Sequence, residues 1–288
     1  MDYRERFRVK PGQRLRLSER DPSFKDKHEH KDSAAGEIAA YAQKLRNLQY
    51  LLYAEHRRSL LVCLQGLDAA GKDGTIGHVL GAMNPQGTRV HAFKVPSAEE
   101  AAHHFLWRAD LATPARGEVV IFNRSHYEDV LVVRVHGLVP ESVWSQRYDQ
   151  ITAFERDLVA ADTVILKFYL HISEDEQLAR FKQRLDDPTR HWKISEADYT
   201  ERTFWPAYIA AYEDALARTS TDQAPWFVIP ANHKWFRNLA ISKIVVETLE
   251  SLAMSTPPAA VDIEEIRRKY HAAEQNEHAL RHAVVDVD

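Results

Sequence analysis

Short continuous runs of apolar residues, separated by mixed polar segments, dominate the pattern of this chain. Five such runs occur, at residues 59–65, 90–95, 118–123, 163–172 and 225–231. Each is too short for a typical helix, and an unbroken apolar run suits a strand that is covered on both faces, as in a parallel sheet. The pattern therefore predicts five buried parallel strands.

Between these runs, apolar residues recur at the three- and four-residue spacing of a helix face. Ser97 with Glu100, and Ser173 with Glu176, have the spacing of a capping box, which marks a helix start, and Pro140 marks another. The residues expected to face inward along the helices are Ile38, Tyr41, Leu45, Leu48, Leu52, Val143, Ile151, Phe154, Leu158, Trp235, Leu239, Ile244 and Leu249. Strands that alternate with helices are typical of a doubly wound α/β domain.

The two ends of the chain differ from the middle in composition. Residues 1–33 are polar, with a turn signal at Pro11 and Gly12, and we expect a loosely ordered N-terminal arm. Residues 255–288 are also polar and predict a peripheral helix or tail. The intervening residues 34–254 then form one α/β domain, a size that a single hydrophobic core can support.

Composition and charge argue against several classes of protein. The formal net charge of −4 argues against a general nucleic-acid binder, which would be strongly basic. No apolar run approaches the roughly 18 residues of a membrane-spanning helix. The N-terminal sequence lacks the apolar core of a secretory signal, so we expect a cytoplasmic protein. Cys63, the one cysteine, lies within an apolar run, which predicts a buried and inert thiol.

The strongest chemical signal directly follows the first apolar run. Residues 66–72 read GLDAAGK, which matches the phosphate-binding loop (P-loop) pattern G-x-x-x-x-G-K between a strand and a helix. Glycines let backbone N–H groups converge on phosphate oxygens, and the helix N-terminus adds positive potential. Lys72 would reach the phosphate that is transferred. An ordinary strand-to-helix turn is the alternative, but such a turn does not require a lysine after two spaced glycines.

The carboxylates of this loop are unusual. Asp73 follows Lys72 where ordinary P-loop proteins have Ser or Thr to hold magnesium, and Asp68 lies inside the loop. Two carboxylates that face phosphates would repel them unless a divalent cation lies between. We therefore expect a metal bridge through Asp68.

A second polar segment, NRSHYED at 123–129, begins where the third apolar run ends. Open α/β sheets place ligands at the carboxyl ends of their strands. Asn123 stands where a Walker-B strand normally ends in Asp, and an amide is a weaker metal ligand. Arg124 can clamp a transferring phosphate, because a guanidinium matches phosphate geometry. The alternative is a polar loop that only solvates the strand end.

Basic residues cluster within residues 180–202. Arg180 and Arg184 are four residues apart and therefore share one face of a helix. The cluster follows a strand and a helix, where small-molecule kinases carry a lid that closes over phosphates and excludes water. A solvated helix face is the alternative for a charge run of this kind.

Together, these segments resemble the polyphosphate kinase 2 family. The matching pieces are LQGLDAAGKDG (64–74), VIFNRSHYEDVLVVRV (120–135), RLDDPTRHWK (184–193) and APWFVIPANHKWFRN (224–238). The similarity runs from about residue 3 to about residue 254, and Asp73 after the lysine is normal in this family. The resemblance implies a P-loop kinase of thymidylate kinase-like α/β fold, a three-layer sandwich with a five-stranded parallel sheet and a helical lid over about 180–202.

The resemblance also implies roles for particular residues. The catalytic residues would be Asp68, Lys72, Arg124 and Arg184. Asp68 would hold the metal together with Asn123 and help to orient the acceptor phosphate. Phosphate would be bound by Gly66, Ala69, Ala70, Gly71, Lys72, Asp73, Gly74, Arg180 and Lys193. The nucleotide would contact Asn123, Arg124 and Glu128.

By resemblance, the reaction is transfer of the terminal phosphate of inorganic polyphosphate to a nucleotide, with Mg²⁺, or alternatively Mn²⁺, bridging the phosphates. The form NRSHYED is similar to the third class of the family, which implies conversion of AMP to ADP and of ADP to ATP. Guanine nucleotides are further candidate substrates. Family members assemble as dimers or tetramers, so a homo-oligomer is implied, without nucleic-acid or membrane partners.

Two alternatives use the same residues. A nucleoside monophosphate kinase with ATP as donor has a similar sheet, P-loop and lid, but commonly carries Ser or Thr after the lysine. A non-catalytic P-loop module that binds nucleotide is slightly favoured by Asn123, because loss of the usual Asp can mean loss of catalysis. Lys72, Arg124 and the lid arginines argue against the second alternative.

Overall fold

The computed structural model describes residues 1–285, and its strands form one parallel sheet. The strands are β1 Ser59–Gln65, β2 Thr88–Ala92, β3 Val119–Asn123, β4 Thr163–His171 and β5 Trp226–Pro230. Their order across the sheet is β2-β3-β1-β4-β5, and every neighbouring pair is parallel. The five predicted strands are therefore confirmed, and β1 has the predicted ends. The prediction that all five are buried is wrong for β2, because β2 lies at the edge of the sheet and is mostly exposed.

Helices cover both faces of this sheet. They are α1 Tyr3–Phe7, α2 Lys31–Glu55, α3 Lys72–His78, α4 Ala98–Ala102, α5 Trp107–Asp110, α6 Val132–Val135, α7 Glu141–Ala160, α8 Glu174–Asp186, α9 Glu196–Arg202, α10 Trp205–Thr219, α11 Lys234–Ser251 and α12 Ile263–Val285. Short 3₁₀ helices lie at Leu17–Glu19, Leu80–Ala82, Pro85–Gly87, His126–Val130 and Pro188–Lys193. The helices α2, α3 and α11 pack on one face, and α7 and α10 pack on the other. The predicted three-layer α/β sandwich is confirmed.

The alternating residues of β1 show why the strand is apolar throughout. Leu60, Val62 and Leu64 join the core beneath α2 and α11, whereas Leu61 and Cys63 join the core on the opposite face. All five are completely buried, and burial raises the pKa of the Cys63 thiol. A strand that is covered on both faces requires continuous apolar sequence, which is the observed pattern.

The N-terminal residues are not a loosely ordered arm. Tyr3 and Phe7 of α1 are buried, and both rings pack against Phe236 of α11. Leu17 is buried as well. The expectation for residues 1–33 is therefore wrong at these positions. The segment is polar in its mean composition, but its few apolar residues, which are widely spaced, are the ones that pack into the core.

Most residues predicted to face inward do so. In α7, Ile151 is buried and Phe154 packs against the core. Val143 is an exception, with 43% exposure, because Trp144 packs against the core in that first turn instead. Trp235 is partly buried against the core at the start of α11, as expected.

Residues from Ser255 onward form a second compact unit, which contains α12. The sequence predicted a helix or tail in this region, and the helix is present. Within residues 1–285, none of the helices combines the length and the apolar character that a membrane span requires.

Candidate active site

The P-loop lies between β1 and α3, as the sequence predicts. Gly66, Ala69 and Gly71 have positive φ angles of +154°, +61° and +108°. A Cβ atom on Gly66 would lie 2.9 Å from the carbonyl oxygen of Leu170, so a larger residue does not fit there. This tightly wound backbone is the kind of conformation in which successive N–H groups converge on an anion.

The ammonium group of Lys72 is held against the loop that precedes it. Lys72 Nζ donates to the carbonyl of Gly66 at 2.6 Å and to the carbonyl of Leu67 at 3.4 Å. Burial, together with the nearby Arg124 guanidinium, lowers the pKa of Lys72. An anion in front of the loop would stabilise the charged form of this lysine.

Side chains join the end of β3 to the P-loop. Arg124 Nη2 lies 3.1 Å from Asp68 Oδ1, and Arg124 Nη1 lies 3.5 Å from Glu128 Oε2. Asn123 Nδ2 donates to Asp73 Oδ1 at 2.9 Å. Burial by itself would lower the pKa of Arg124, but the carboxylates of Glu128 and Asp68 more than compensate and raise it. The structure thus brings together the residues that the sequence proposed for metal and nucleotide contact.

The backbone of Arg124 adopts a conformation that is uncommon for a residue with a side chain. Its φ angle is +60°, and such a left-handed residue costs about 1–3 kcal/mol. Arg124 N donates to the Leu64 carbonyl of β1, which fixes the start of this turn. Ser125 Oγ accepts from Tyr127 N and from Gln65 Nε2, which fixes the following residues.

A buried polar network anchors the segment that follows Arg124. His126 Nε2 lies 3.3 Å from Glu155 Oε1, and Tyr127 OH donates to the same oxygen at 2.8 Å. Lys167 Nζ forms an ion pair with Glu155, and none of the four side chains reaches solvent to any extent. Burial by itself would raise the pKa of Glu155, but Lys167 and His126 lower it. Sequence reasoning missed this network, although a lysine inside the apolar run 163–172 was a signal.

Arg180 lies beneath the P-loop. Its side chain is almost completely buried, and Nη1 donates to the carbonyls of Ala69 and Ala70 at 2.8 and 3.0 Å. Nη2 donates to the carbonyls of Ala231 and Asn232. These bonds support a role in holding the loop, and direct phosphate binding by Arg180 stays a prediction.

The predicted lid corresponds to the end of α8, the 3₁₀ helix Pro188–Lys193 and α9. Arg184 Nη1 donates to the Lys193 carbonyl at 2.8 Å and lies 3.8 Å from Asp198 Oδ2. Trp192 is 79% exposed beside Lys193. Arg184 therefore connects α8 to the 3₁₀ helix and to α9.

A cleft of about 920 Å³ collects the basic residues of several distant segments. Ten lysines and arginines line it, namely Lys31, Lys72, Lys94, Arg124, Arg180, Arg184, Arg190, Lys193, Lys234 and Arg237, against the aspartates Asp68, Asp73 and Asp198. Because the chain as a whole has a formal charge of −4, this concentration of positive charge is local. Sequence reasoning assigned no role to Lys31, Lys94, Lys234 or Arg237, and the fold brings them to the cleft from separate segments.

A smaller cavity of about 320 Å³ lies on the other side of the Asp68–Arg124 pair. Its lining includes the aromatic residues Trp205, Tyr208 and Tyr212 and the polar residues Glu128, His136 and Glu201. Asp68 and Arg124 border both this cavity and the cleft. The two cavities therefore adjoin at this ion pair.

The parallel sheet, the P-loop with its lysine and the cationic cleft at the strand ends define a phosphotransferase of the P-loop kinase fold. A sequence model of the polyphosphate kinase 2 family matches residues 27–257, and the chain belongs to this family.

Known proteins resemble the chain along nearly its whole length. It is 50% identical to an AMP/ADP-polyphosphate phosphotransferase of Meiothermus ruber, over 91% of this chain and 98% of that protein. It is 43% identical to an ADP-polyphosphate phosphotransferase of Rhodopseudomonas palustris, over 88% and 92%. The crystal structure of polyphosphate kinase 2 from Arthrobacter aurescens TC1 superposes with a TM-score of 0.91 at 40% identity, covering 94% of this chain and 97% of that chain.

Proposed function

We propose that this chain transfers the terminal phosphate of inorganic polyphosphate to AMP and ADP, forming ADP and ATP. The observation that carries the proposal is the cleft of ten lysines and arginines around Lys72 and Arg124. A polyphosphate carries negative charge along its whole length, so it requires a row of cations that a single nucleotide donor does not. The relatives from Meiothermus ruber and Rhodopseudomonas palustris, which are named polyphosphate phosphotransferases, support this donor.

The acceptor nucleotide occupies the smaller cavity in this proposal. Trp205, Tyr208 and Tyr212 offer aromatic surface to a base. Of the predicted nucleotide contacts, Arg124 and Glu128 line this cavity, whereas Asn123 lines the cationic cleft. The NRSHYED segment and the name of the Meiothermus ruber relative support the use of both AMP and ADP.

The chain contributes position and charge to the transfer. In-line transfer needs the acceptor oxygen, the phosphorus and the leaving phosphate held in one row, with positive charge on the spreading negative charge. Lys72, Arg124 and Arg184 supply that charge from the loop, the end of β3 and the lid segment. Closure of the lid would exclude water from the transferred group.

We propose Mg²⁺ as the metal; Asp68 and Asn123 would hold it, and it would offset the negative charge of the phosphates. Mg²⁺ typically takes one or two carboxylates and completes its shell with phosphates and water. Asp68 and Asn123 fit this pattern, because they supply one carboxylate and one amide at the edge of the cleft. Asn123 Nδ2 is bonded to Asp73, so its amide oxygen is the atom left for an ion.

The test is a donor comparison with the purified full chain. Labelled AMP or ADP is incubated with Mg²⁺ and either polyphosphate or ATP as the single donor, and the products are separated by chromatography. We expect AMP to yield ADP and ATP, and ADP to yield ATP, with polyphosphate. Rapid conversion of AMP with ATP and none with polyphosphate would instead identify a nucleoside monophosphate kinase. No transfer from either donor would identify a non-catalytic module.

A further inference from the structure

A buried guanidinium without a carboxylate partner lies directly beneath the P-loop. Arg237 of α11 is 2% exposed. Its hydrogen bonds go to Asn238 Oδ1, from Nε at 3.2 Å and Nη2 at 2.8 Å, and to the Ala70 carbonyl, from Nη1 at 3.3 Å. Within residues 1–285, no Asp or Glu forms an ion pair with it. Burial, with a contribution from the Arg180 charge, lowers the pKa of Arg237.

The glycines of the loop leave the space that Arg237 fills. A Cβ atom on Gly71 would lie 1.8 Å from Arg237 Nη1, and a Cβ atom on Gly74 would lie 3.0 Å from Arg237 Nη2. These two glycines come directly before Lys72 and two residues after it. The guanidinium is therefore pressed against the backbone on both sides of the lysine that faces the cleft.

Arg180, the second buried guanidinium beneath the loop, differs from Arg237 because it has a carboxylate partner. It is also buried beneath the loop and also donates to the Ala70 carbonyl, but its Nε is bonded to Glu176 Oε1 at 2.7 Å. One of the two buried guanidiniums is thus neutralised within the protein, and Arg237 is not. The Ala70 carbonyl would keep a donor if Arg237 were removed.

An unpaired buried charge is costly, and a neutral side chain of similar size would serve a purely structural role better. A charge that opposes folding of the free protein is useful only when an anion compensates it. Gly71 and Gly74, whose backbone Arg237 lies against, line the cationic cleft, and Arg237 borders the same cleft from beneath the loop.

We propose that the counter-ion of Arg237 is the phosphate group bound in front of the P-loop, so that Arg237 acts through the loop as a positioning residue for the donor. This inference rests on the proposed function, because it requires the loop to hold a phosphate. In the free protein the charge destabilises the fold, and an anion in the loop removes that penalty. The interaction is strong because little water separates the two charges.

The test is Arg237→Met, which keeps an unbranched apolar stem and removes the charge. Thermal unfolding midpoints are measured with and without tripolyphosphate, together with tripolyphosphate affinity by calorimetry. We expect the unfolding midpoint of the free variant to equal or exceed that of the unsubstituted protein. We also expect a smaller upward shift with tripolyphosphate and an affinity weakened about tenfold or more.

Two matched variants sharpen the test. Arg180→Met removes a guanidinium that is paired with Glu176, so it should lower the unfolding midpoint of the free protein. Arg237→Lys keeps the charge, so it should recover part of the lost affinity.

Two results would overturn the inference. If Arg237→Met lowers the midpoint of the free protein and binds tripolyphosphate with unchanged affinity, Arg237 is a structural residue, and the proposed function stands. If tripolyphosphate neither binds nor stabilises the unsubstituted protein, the proposed donor site fails and the inference fails with it.

Discussion

Arg124 Nη2 lies 3.1 Å from Asp68 Oδ1, and this pair joins the end of β3 to the P-loop. The two residues are 56 positions apart in the sequence, and the parallel pairing of β1 with β3 brings them together. Both border the large cleft and the smaller cavity. The pair therefore lies where we propose that donor and acceptor meet.

Replacement of Arg124 by alanine should lower turnover without lowering thermal stability. We expect turnover to fall about a thousandfold, the amount that one arginine contributes to a phosphoryl transfer. The midpoint of thermal unfolding should stay near that of the unsubstituted protein, because the side chain of Arg124 is 41% exposed and such ion pairs contribute little. The measurements are the initial rate of ATP formation from ADP and polyphosphate, and calorimetry.

The control for that variant is Arg156→Ala. The side chain of Arg156 is 71% exposed and lies 3.9 Å from Asp157, away from the site, so neither rate nor midpoint should change. Near-normal turnover of Arg124→Ala would show that the role assigned to Arg124 is wrong.

Lys72 should make donor binding depend on pH. Because burial and Arg124 lower its pKa, the free protein loses this charge at a lower pH than an ordinary lysine does. A bound phosphate favours the charged form of Lys72. Above the lowered pKa, binding of tripolyphosphate must therefore take up a proton, so its affinity should fall by up to about tenfold for each unit by which the pH rises. Calorimetric titration with tripolyphosphate between about pH 7 and about pH 10 measures this slope, because that interval spans the expected loss of the lysine charge.

The comparison for this pH series is Lys72→Met. This variant should bind tripolyphosphate more weakly at neutral pH, and its affinity should change with pH only as far as the phosphate itself titrates. An equal slope in both proteins would rule out Lys72 as the titrating group.

Substitutions at two glycines of neighbouring segments should have opposite effects. Gly71→Ala places a Cβ atom 1.8 Å from Arg237 Nη1 at a φ of +108°, so we expect a loss of stability of several kcal/mol and loss of activity. Gly77 lies within α3, and nothing is within 4 Å of a Cβ atom there. Gly77→Ala should therefore stabilise the protein by about 0.5–1 kcal/mol. Urea unfolding checks both, and equal changes would contradict the geometry.

The Glu155–Lys167 pair should be a major determinant of stability. Glu155→Gln leaves the Lys167 ammonium buried without a negative partner, which costs about 3–5 kcal/mol. The free energy of unfolding in urea measures the loss, and the double variant Glu155→Leu, Lys167→Met should recover much of it. Glu250→Gln is the control, because the Glu250–Lys44 pair is exposed and should contribute no more than about 1 kcal/mol. A similar loss in the control would refute the assignment.

Asp68→Asn should raise the Mg²⁺ concentration needed for half-maximal rate. A neutral amide binds Mg²⁺ more weakly than a carboxylate does. Rates over a Mg²⁺ series, with excess chelator as the zero point, measure the shift. Asp222→Asn, at the distant Arg8–Asp222 ion pair, is the control and should leave the Mg²⁺ dependence unchanged. An unaltered dependence in Asp68→Asn would exclude Asp68 as a ligand.

Much of the molecule was determined by local patterns in the sequence. Four of the five strands, β1, β3, β4 and β5, follow from continuous apolar runs, because a strand buried on both faces cannot contain polar positions without partners. The edge strand β2 is mostly exposed, and its neighbours in the sheet decided that exposure. The P-loop and Lys72 follow from spacing alone, since this turn needs glycines at fixed positions and a lysine directly after the second. The Asn123 segment was recognisable because it directly follows a predicted strand.

Tertiary structure decided which charged side chain meets which partner. Arg180 and Arg184 lie on the same helix, yet Arg180 is buried under the loop and Arg184 contacts the 3₁₀ helix and α9 of the lid segment. Arg237 comes from the last helix of the domain and reaches the loop only because α11 packs beside it. Spacing along a chain fixes which residues share a helix face, but the partners of a charge depend on the packing of segments that are far apart in sequence.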